Sequence, residues 1–290
     1  MIVHLGAHKT ASTHLQKSLL AQRDLLAEQN VWYLGPDRLR HDLRLPSLNR
    51  SEADVHRRLA PLREHLQVIE GRGGRILLSD ENMLGRPERA HCLADGLFYP
   101  QAAPRIERLI RALGLTNATL ALAIRNPANF IVSLHGHQAL SGRLVDFGAF
   151  ADGLDPLQFR WSELVMRLKA VPGVGQIVLW RYEDYARLGT PIAGELLGDE
   201  SFADLFSQFA DRPLTGVSAA ALEHAAALVA ATPGLELKQA IKRAMMRFPK
   251  SRRYPALDPF TPFVQKRSRR LYRSDWVMLQ SLPGVTCLLP

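Results

Sequence analysis

An α/β fold with a mainly parallel central sheet flanked by helices is predicted by three features of this 290-residue chain. Five short apolar runs with the length and composition of buried strands recur, at Met1 to Leu5, Val31 to Leu34, Arg75 to Ser79, Ala118 to Ile124 and Gln176 to Trp180. Helical patterns stand between them, so the strands pair in parallel through crossovers, with ligands expected at their carboxyl ends. The hydrophobic content of 47 % is enough for one large core.

The elements follow in order. After the first strand, Leu15, Leu19 and Leu26 fall in a narrow arc at ~100° per residue, which predicts one helix with a single packing stripe. Further helices are expected at Arg105 to Leu113, Pro127 to Leu140 and Leu157 to Lys169, with Pro127 suited to a first helical position. After Thr190 the strand signals stop. From Ser218 the pattern is helical, with an alanine-rich helix at Ala219 to Ala231 and loops rich in Pro and Arg near Pro249 to Pro262. With no internal repeat or low-complexity linker, the sequence predicts a single domain: residues 1–190 as an α/β nucleotide-binding core and 191–290 as a helical, basic extension.

No run reaches the ~18 to 20 apolar residues of a membrane span, and no leader pattern is present, so a soluble, unprocessed chain is expected. Cys92 and Cys287 are too few for a disulfide framework and lack paired metal-ligand spacing, which fits a reducing, cytoplasmic setting. The net charge of +9 is concentrated: Glu236 to Arg273 holds twelve Lys or Arg against Glu236 and Asp258, which makes it +10 and leaves −1 elsewhere. Such a segment offers a face to a nucleotide, an acidic polymer or a membrane surface, or is simply a solvated face.

The segment GAHKTAST, Gly6 to Thr13, turns a strand directly into a helix. The first amides of that helix have no intrahelical partner and, with the helix dipole, favour a phosphate. Lys9 adds a mobile cation, Ala11 and Ser12 allow close approach, and Thr10, Ser12 and Thr13 add hydroxyls. Alternatively, Thr13 and Gln16 form an ordinary capping box. The Walker pattern is not met, because no glycine directly precedes Lys9 and Lys9 stands before the small-residue turn.

This loop resembles the 5′-phosphosulfate loop of sulfotransferases that use 3′-phosphoadenosine 5′-phosphosulfate (PAPS), with Lys9, Thr10, Ala11, Ser12 and Thr13 at the matching positions. IRNPANFIVSLHGHQ, Ile124 to Gln138, is similar to the family's 3′-phosphate motif, with Arg125 at a strand end and Ser133 eight residues later. A salt-bridged arginine and a helix serine bonded to backbone are the alternative for that pair. LWRYEDYARL resembles the family's Tyr-Glu-Asp stretch, which implies Tyr182 near the adenine and Glu183 with Asp184 organising the turn. An aromatic core position for Tyr182 stays open.

RILLSDENMLG places Ser79, Asp80, Glu81 and Asn82 after a strand, so Glu81, ahead of Asp80, is the candidate general base, unless this is a helix N-cap. The resemblance covers roughly Ile2 to Asp184. It implies a P-loop NTPase-like fold and transfer of a sulfuryl group from PAPS to a hydroxyl or amine, with Lys9 stabilising the leaving phosphate and no metal required. It also implies late arginines at the 3′-phosphate, for which Arg252 or Arg253 are candidates by position and charge.

Two departures stand out. Ala11 replaces the usual glycine, harmless only at negative φ, and His14 occupies a position that is often aromatic. His4 and His8 lie in a strand-to-loop setting that does not converge as zinc ligands would; one of His135 and His137 could assist the acceptor, with solvated or packed helix positions as the preferred reading. The possible acceptors include a glycan, a lipid or a small molecule, and nucleic acid is not expected. A nucleotide or small-molecule kinase and a non-catalytic binder of acidic polymers are the competing functions.

Overall fold

The computed structural model describes residues 1–43, 48–143, 145–204 and 216–290. Its strands are β1 (Ile2–His4), β2 (Val31–Leu34), β3 (Arg75–Ser79), β4 (Leu93–Ala94), β5 (Leu97–Phe98), β6 (Ala118–Ile124), β7 (Val174–Arg181) and β8 (Val285–Cys287). All but β4 and β5, which form a small antiparallel hairpin, belong to one parallel sheet ordered β2-β3-β1-β6-β7-β8. Ile2 of the central β1 stands opposite Leu77 on one side and Thr119 on the other. Chain order reverses on either side of β1, and a crevice at such a switch point is where ligands of doubly wound sheets bind.

Period-2 alternation buries both faces of the strands. Leu120, Leu122 and Ile124 of β6, with Ile177 and Leu179 of β7, enter one apolar cluster, while Ala121, Ala123, Val178 and Trp180 enter another on the opposite face. The first cluster is completed by α3 (Glu52–Glu70), α5 (Ala102–Leu113), α6 (Pro127–Leu140) and α8 (Trp161–Lys169). The second draws on α1 (Ser12–Ala21), α2 (Arg23–Glu28) and α9 (Gly189–Leu197). Short helices α4 (Arg89–Cys92) and α7 (Phe147–Ala151) border the hairpin side. Toward the C-terminus, α10 (Ala219–Ala231) and α11 (Leu237–Arg247) pack on α6 around Ala139, Leu222 and Ile241, and α12 (Pro262–Ser281) leads to β8.

The predicted strands all form, and Pro127 opens α6 behind an Asn126 cap. Three expectations are corrected. Strand signals do not end at Thr190: β8 pairs with β7, Val178 opposite Thr286. It is three half-buried residues long and carries no alternation to read. The stripe of Leu15, Leu19 and Leu26 does not lie on one helix, because the chain breaks at Gln22 (φ −114°), although all three leucines reach the same cluster. The helix expected from Leu157 starts at Trp161, after an extended Arg160.

Candidate functional site

The loop after β1 turns within a few residues, and its geometry depends on small groups. Gly6 has φ +44°, and a Cβ there would lie 2.6 Å from Ser12 Oγ, so only glycine fits. Lys9 and Ala11 also take positive φ, at 65° and 69°. The condition under which alanine would be harmless at this position, a negative φ, is therefore not met. As the residue before α1, Ala11 adopts a left-handed turn that a glycine would take freely, at a cost of roughly 1 kcal/mol for its Cβ.

No side chain caps α1, so the Thr13/Gln16 box does not form. Gln16 instead donates from Nε2 to Glu81 Oε2 (2.9 Å) and Ser79 Oγ (3.3 Å). Among the described residues, the amides of Ala11, Ser12 and Thr13 meet no protein acceptor, which is the anion-ready state of a helix start. Thr10 points away from this opening: its Oγ1 donates to Ala7 O (2.5 Å), and Ser12 Oγ donates to the same carbonyl at 3.2 Å. The two hydroxyls brace the turn from within.

Arg125 at the end of β6 connects this loop to the second predicted cluster. Its Nη1 donates to the Lys9 carbonyl at 2.8 Å, and its guanidinium lies 4.4 Å from the centre of the Tyr182 ring. The backbone at this point is held from several elements. Trp161 Nε1 donates to Arg125 O (2.7 Å), Asn126 N donates to Glu183 Oε1 (3.0 Å), and Tyr272 donates its hydroxyl to Glu183 Oε2 (3.0 Å). Glu183 thus organises the turn, as does Asp184, which binds Arg181 and Arg187. The alternative reading of Arg125, a salt bridge, finds no ion pair among the described residues, and its buried Nε has no partner.

Lys9, Ala11, Ser12, Thr13, Glu81, Arg125, Ser133 and Tyr182 line one cavity of about 420 Å³. A second lobe of about 420 Å³ shares Lys9, Arg125 and Ser133 and extends along α6 to Pro255, Phe260 and Gln265. Volumes of this order suit a nucleotide. The two clusters predicted to hold opposite ends of one ligand therefore face a common space. Arg252 does not: it is exposed and lines neither lobe. Arg253 lies over the Tyr254 ring instead. Among the described residues, the cation that the C-terminal segment contributes to both lobes is Lys250.

Lys9, Arg125 and Lys250 thus converge on one space, which Glu81 lines as well. Burial pushes Lys9 down to about 8, with Arg125 and Lys250 adding repulsion. Burial likewise lowers Arg125, and Lys250 is lowered by burial and by Arg125. Among the described residues none of the three forms an ion pair. A bound polyanion would relieve this repulsion.

Asp80 turns out to be structural: it is buried, caps Asn82 N (2.8 Å) and takes a bidentate pair from Arg40 at 2.7 and 2.6 Å. Glu81 faces the cavity. Burial pushes its carboxyl up, but Gln16 and Arg40 (Nη2 to Oε1, 3.1 Å) outweigh that and hold it below the ordinary carboxylate range. It is ionised at neutral pH.

His137 also lines both lobes, lowered by burial and Lys9, hence a neutral imidazole near the same space. Its position was legible: four residues after Ser133 on one helix puts both on one face. His135 is packed, with Nε2 2.7 Å from Val145 O. His14 Nδ1 pairs with the Tyr185 hydroxyl at 2.8 Å. His4 stacks on Trp180 with Nδ1 2.8 Å from Ser79 Oγ, and His8 Nδ1 lies 3.0 Å from the Tyr99 hydroxyl.

No protein-family model matches the chain, and no curated protein sequence does. Two solved structures are similar to it. One is a sulfotransferase from Alicyclobacillus acidocaldarius (TM-score 0.40, 16 % identity, 68 % of this chain and 80 % of that chain). The other is retinol dehydratase in complex with androsterone and the inactive cofactor PAP (TM-score 0.39, 14 % identity, 94 % of this chain and 80 % of that chain). The α/β architecture stands on the strand order and register of the chain itself.

Proposed function

We propose that the chain is a PAPS-dependent sulfotransferase that moves a sulfuryl group to a hydroxyl or amine. The observation that carries this reading is the single cavity in which the Lys9 loop and the Arg125–Ser133 pair meet, joined by the Arg125 to Lys9 hydrogen bond. A nucleotide with one anionic group on the 5′ side and another on the 3′ side matches that division. The unpartnered amides at 11–13 and the orphaned Nε of Arg125 fit two such groups.

PAPS, when bound, would supply an activated sulfuryl group. Lys9, with the amides of Ala11, Ser12 and Thr13 and the Thr13 hydroxyl, would hold the 5′ end and stabilise negative charge on the leaving phosphate. Arg125, Ser133 and Lys250 would hold the 3′-phosphate. Tyr182, which stacks under Arg125, positions that guanidinium and would flank the base. Glu81, ionised and facing the same space, would accept the acceptor's proton, and neutral His137 is the second candidate for that step.

Calorimetry with 3′-phosphoadenosine 5′-phosphate and with ATP, each with and without magnesium, tests the donor class. Tight, magnesium-independent preference for the former is expected. Preference for ATP with magnesium would point instead to a phosphotransferase. Binding of neither, with strongly salt-dependent retention on acidic polymers that survives Lys9→Ala, would point to a non-catalytic binder.

A further inference from the structure

Helix α12 starts at a Thr261 cap whose hydroxyl accepts from Val264 N (3.3 Å). Its inner face is fixed to the core: Ser268, Tyr272, Asp275, Trp276 and Leu279 are buried. At ~100° per residue, Phe263, Lys266, Arg267, Arg270, Arg273, Val277 and Met278 fall on the opposite side, within an arc of roughly 140°. Every one of them is exposed, with Phe263 73 %, Val277 64 % and Met278 44 % accessible. Among the described residues, the four cations of this face form no ion pair.

We propose that this outer face of α12 docks on an anionic lipid bilayer. Two observations have to be met by one occupant. Four unpaired cations along ~10 Å of helix call for a surface of negative charge, and a leaflet rich in anionic lipid supplies it. The apolar side chains at both ends of that stretch gain nothing from a hydrophilic polyanion, yet each can enter the boundary between headgroups and acyl chains. Phe263, held at the first turn by the Thr261 cap, and Val277 with Met278 near the last turn bracket the cationic belt. A solvated face would instead mix both signs of charge and few large apolar groups. No helix among the described residues is long and apolar enough to cross a membrane, so the contact is peripheral. The proposal rests on α12 alone and holds whether or not the cavity takes PAPS.

Flotation of the full chain with phosphatidylcholine vesicles, with and without phosphatidylglycerol, tests it, with retention on immobilised heparin as the polyanion control. The expected result is association with the phosphatidylglycerol vesicles only. The variant Lys266→Gln/Arg270→Gln/Arg273→Gln should lose about a hundredfold in vesicle affinity, at about fivefold per charge. Phe263→Ser/Val277→Ser should lose roughly tenfold on vesicles and keep its heparin retention. These side chains are exposed, so near-UV circular dichroism should be unchanged. The proposal is overturned if the chain ignores phosphatidylglycerol vesicles, or if the Phe263/Val277 variant binds them as the parent does.

Discussion

Lys9 illustrates how the setting of a side chain changes its chemistry. In water a lysine keeps its proton far above neutral pH, but here burial and two neighbouring cations bring it to about 8. An anion binds the protonated form, so affinity for 3′-phosphoadenosine 5′-phosphate should be level below about pH 8 and fall above it. Lys9→Arg should remove that fall, as titration calorimetry across pH would show. Lys9→Ala should lower turnover several hundredfold with the fold intact, the usual effect of deleting a preorganised charge donor. Ala11 gives a stability prediction of opposite sign. With φ +69° its Cβ is strained, so Ala11→Gly should be neutral or stabilising by up to about 1 kcal/mol in urea unfolding, and Ala11→Val destabilising. Residue types in the loop were legible in the sequence because a strand turning into a helix behind small and hydroxyl-bearing residues is a local pattern. The φ at Ala11 was not, since it is set by the turn that Thr10 and Ser12 brace through the Ala7 carbonyl.

Elements of the fold were readable where packing imposes a period. The strands of the sheet's middle showed themselves as apolar runs because both faces are covered, and α6 because Pro127 and Asn126 mark its start. β8 and the break between α1 and α2 were not readable, for neither has a period of its own: β8 is held by its pairing with β7, and Leu26 by the same cluster as Leu19. Lys250 shares this fate. The charge run announced the segment, but which cation reaches the cavity is decided by how the loop before α12 packs. One contact between distant elements invites a direct test. Asp275 of α12 accepts from Trp161 N (2.7 Å) at the start of α8, supplying from 114 residues away the cap that Arg160 does not. Asp275→Ala should cost about 1–3 kcal/mol in equilibrium unfolding, since it leaves a buried amide unpaired.

At the scale of the molecule, two buried histidines next to the sheet's switch point link stability to pH. Burial lowers His4 and His8 to about 4 from an ordinary value of 6.5. Both are neutral in folded and unfolded chains above that ordinary value, so their contribution is constant there. As pH falls from about 6.5 toward 4 the unfolded chain takes up the protons first, and stability drops, by an amount on the order of 3 kcal/mol for each histidine. Urea unfolding at several pH values should show this slope, and His4→Gln should remove about one proton of it. The same switch point brings together the carboxyl ends of β1, β3, β6 and β7, from which Lys9, Glu81, Arg125 and Tyr182 reach one cavity.

That convergence is tested most directly by measuring, in calorimetry, Lys9→Ala and Arg125→Ala against three ligands: 3′-phosphoadenosine 5′-phosphate, adenosine 5′-phosphate and adenosine 3′-phosphate. Each variant should bind the doubly phosphorylated ligand roughly ten- to a hundredfold more weakly than the parent. The Arg125 penalty should vanish for the ligand without a 3′-phosphate, and the Lys9 penalty for the one without a 5′-phosphate. Penalties that do not depend on which phosphate is present would contradict a cavity that grips one nucleotide by both ends.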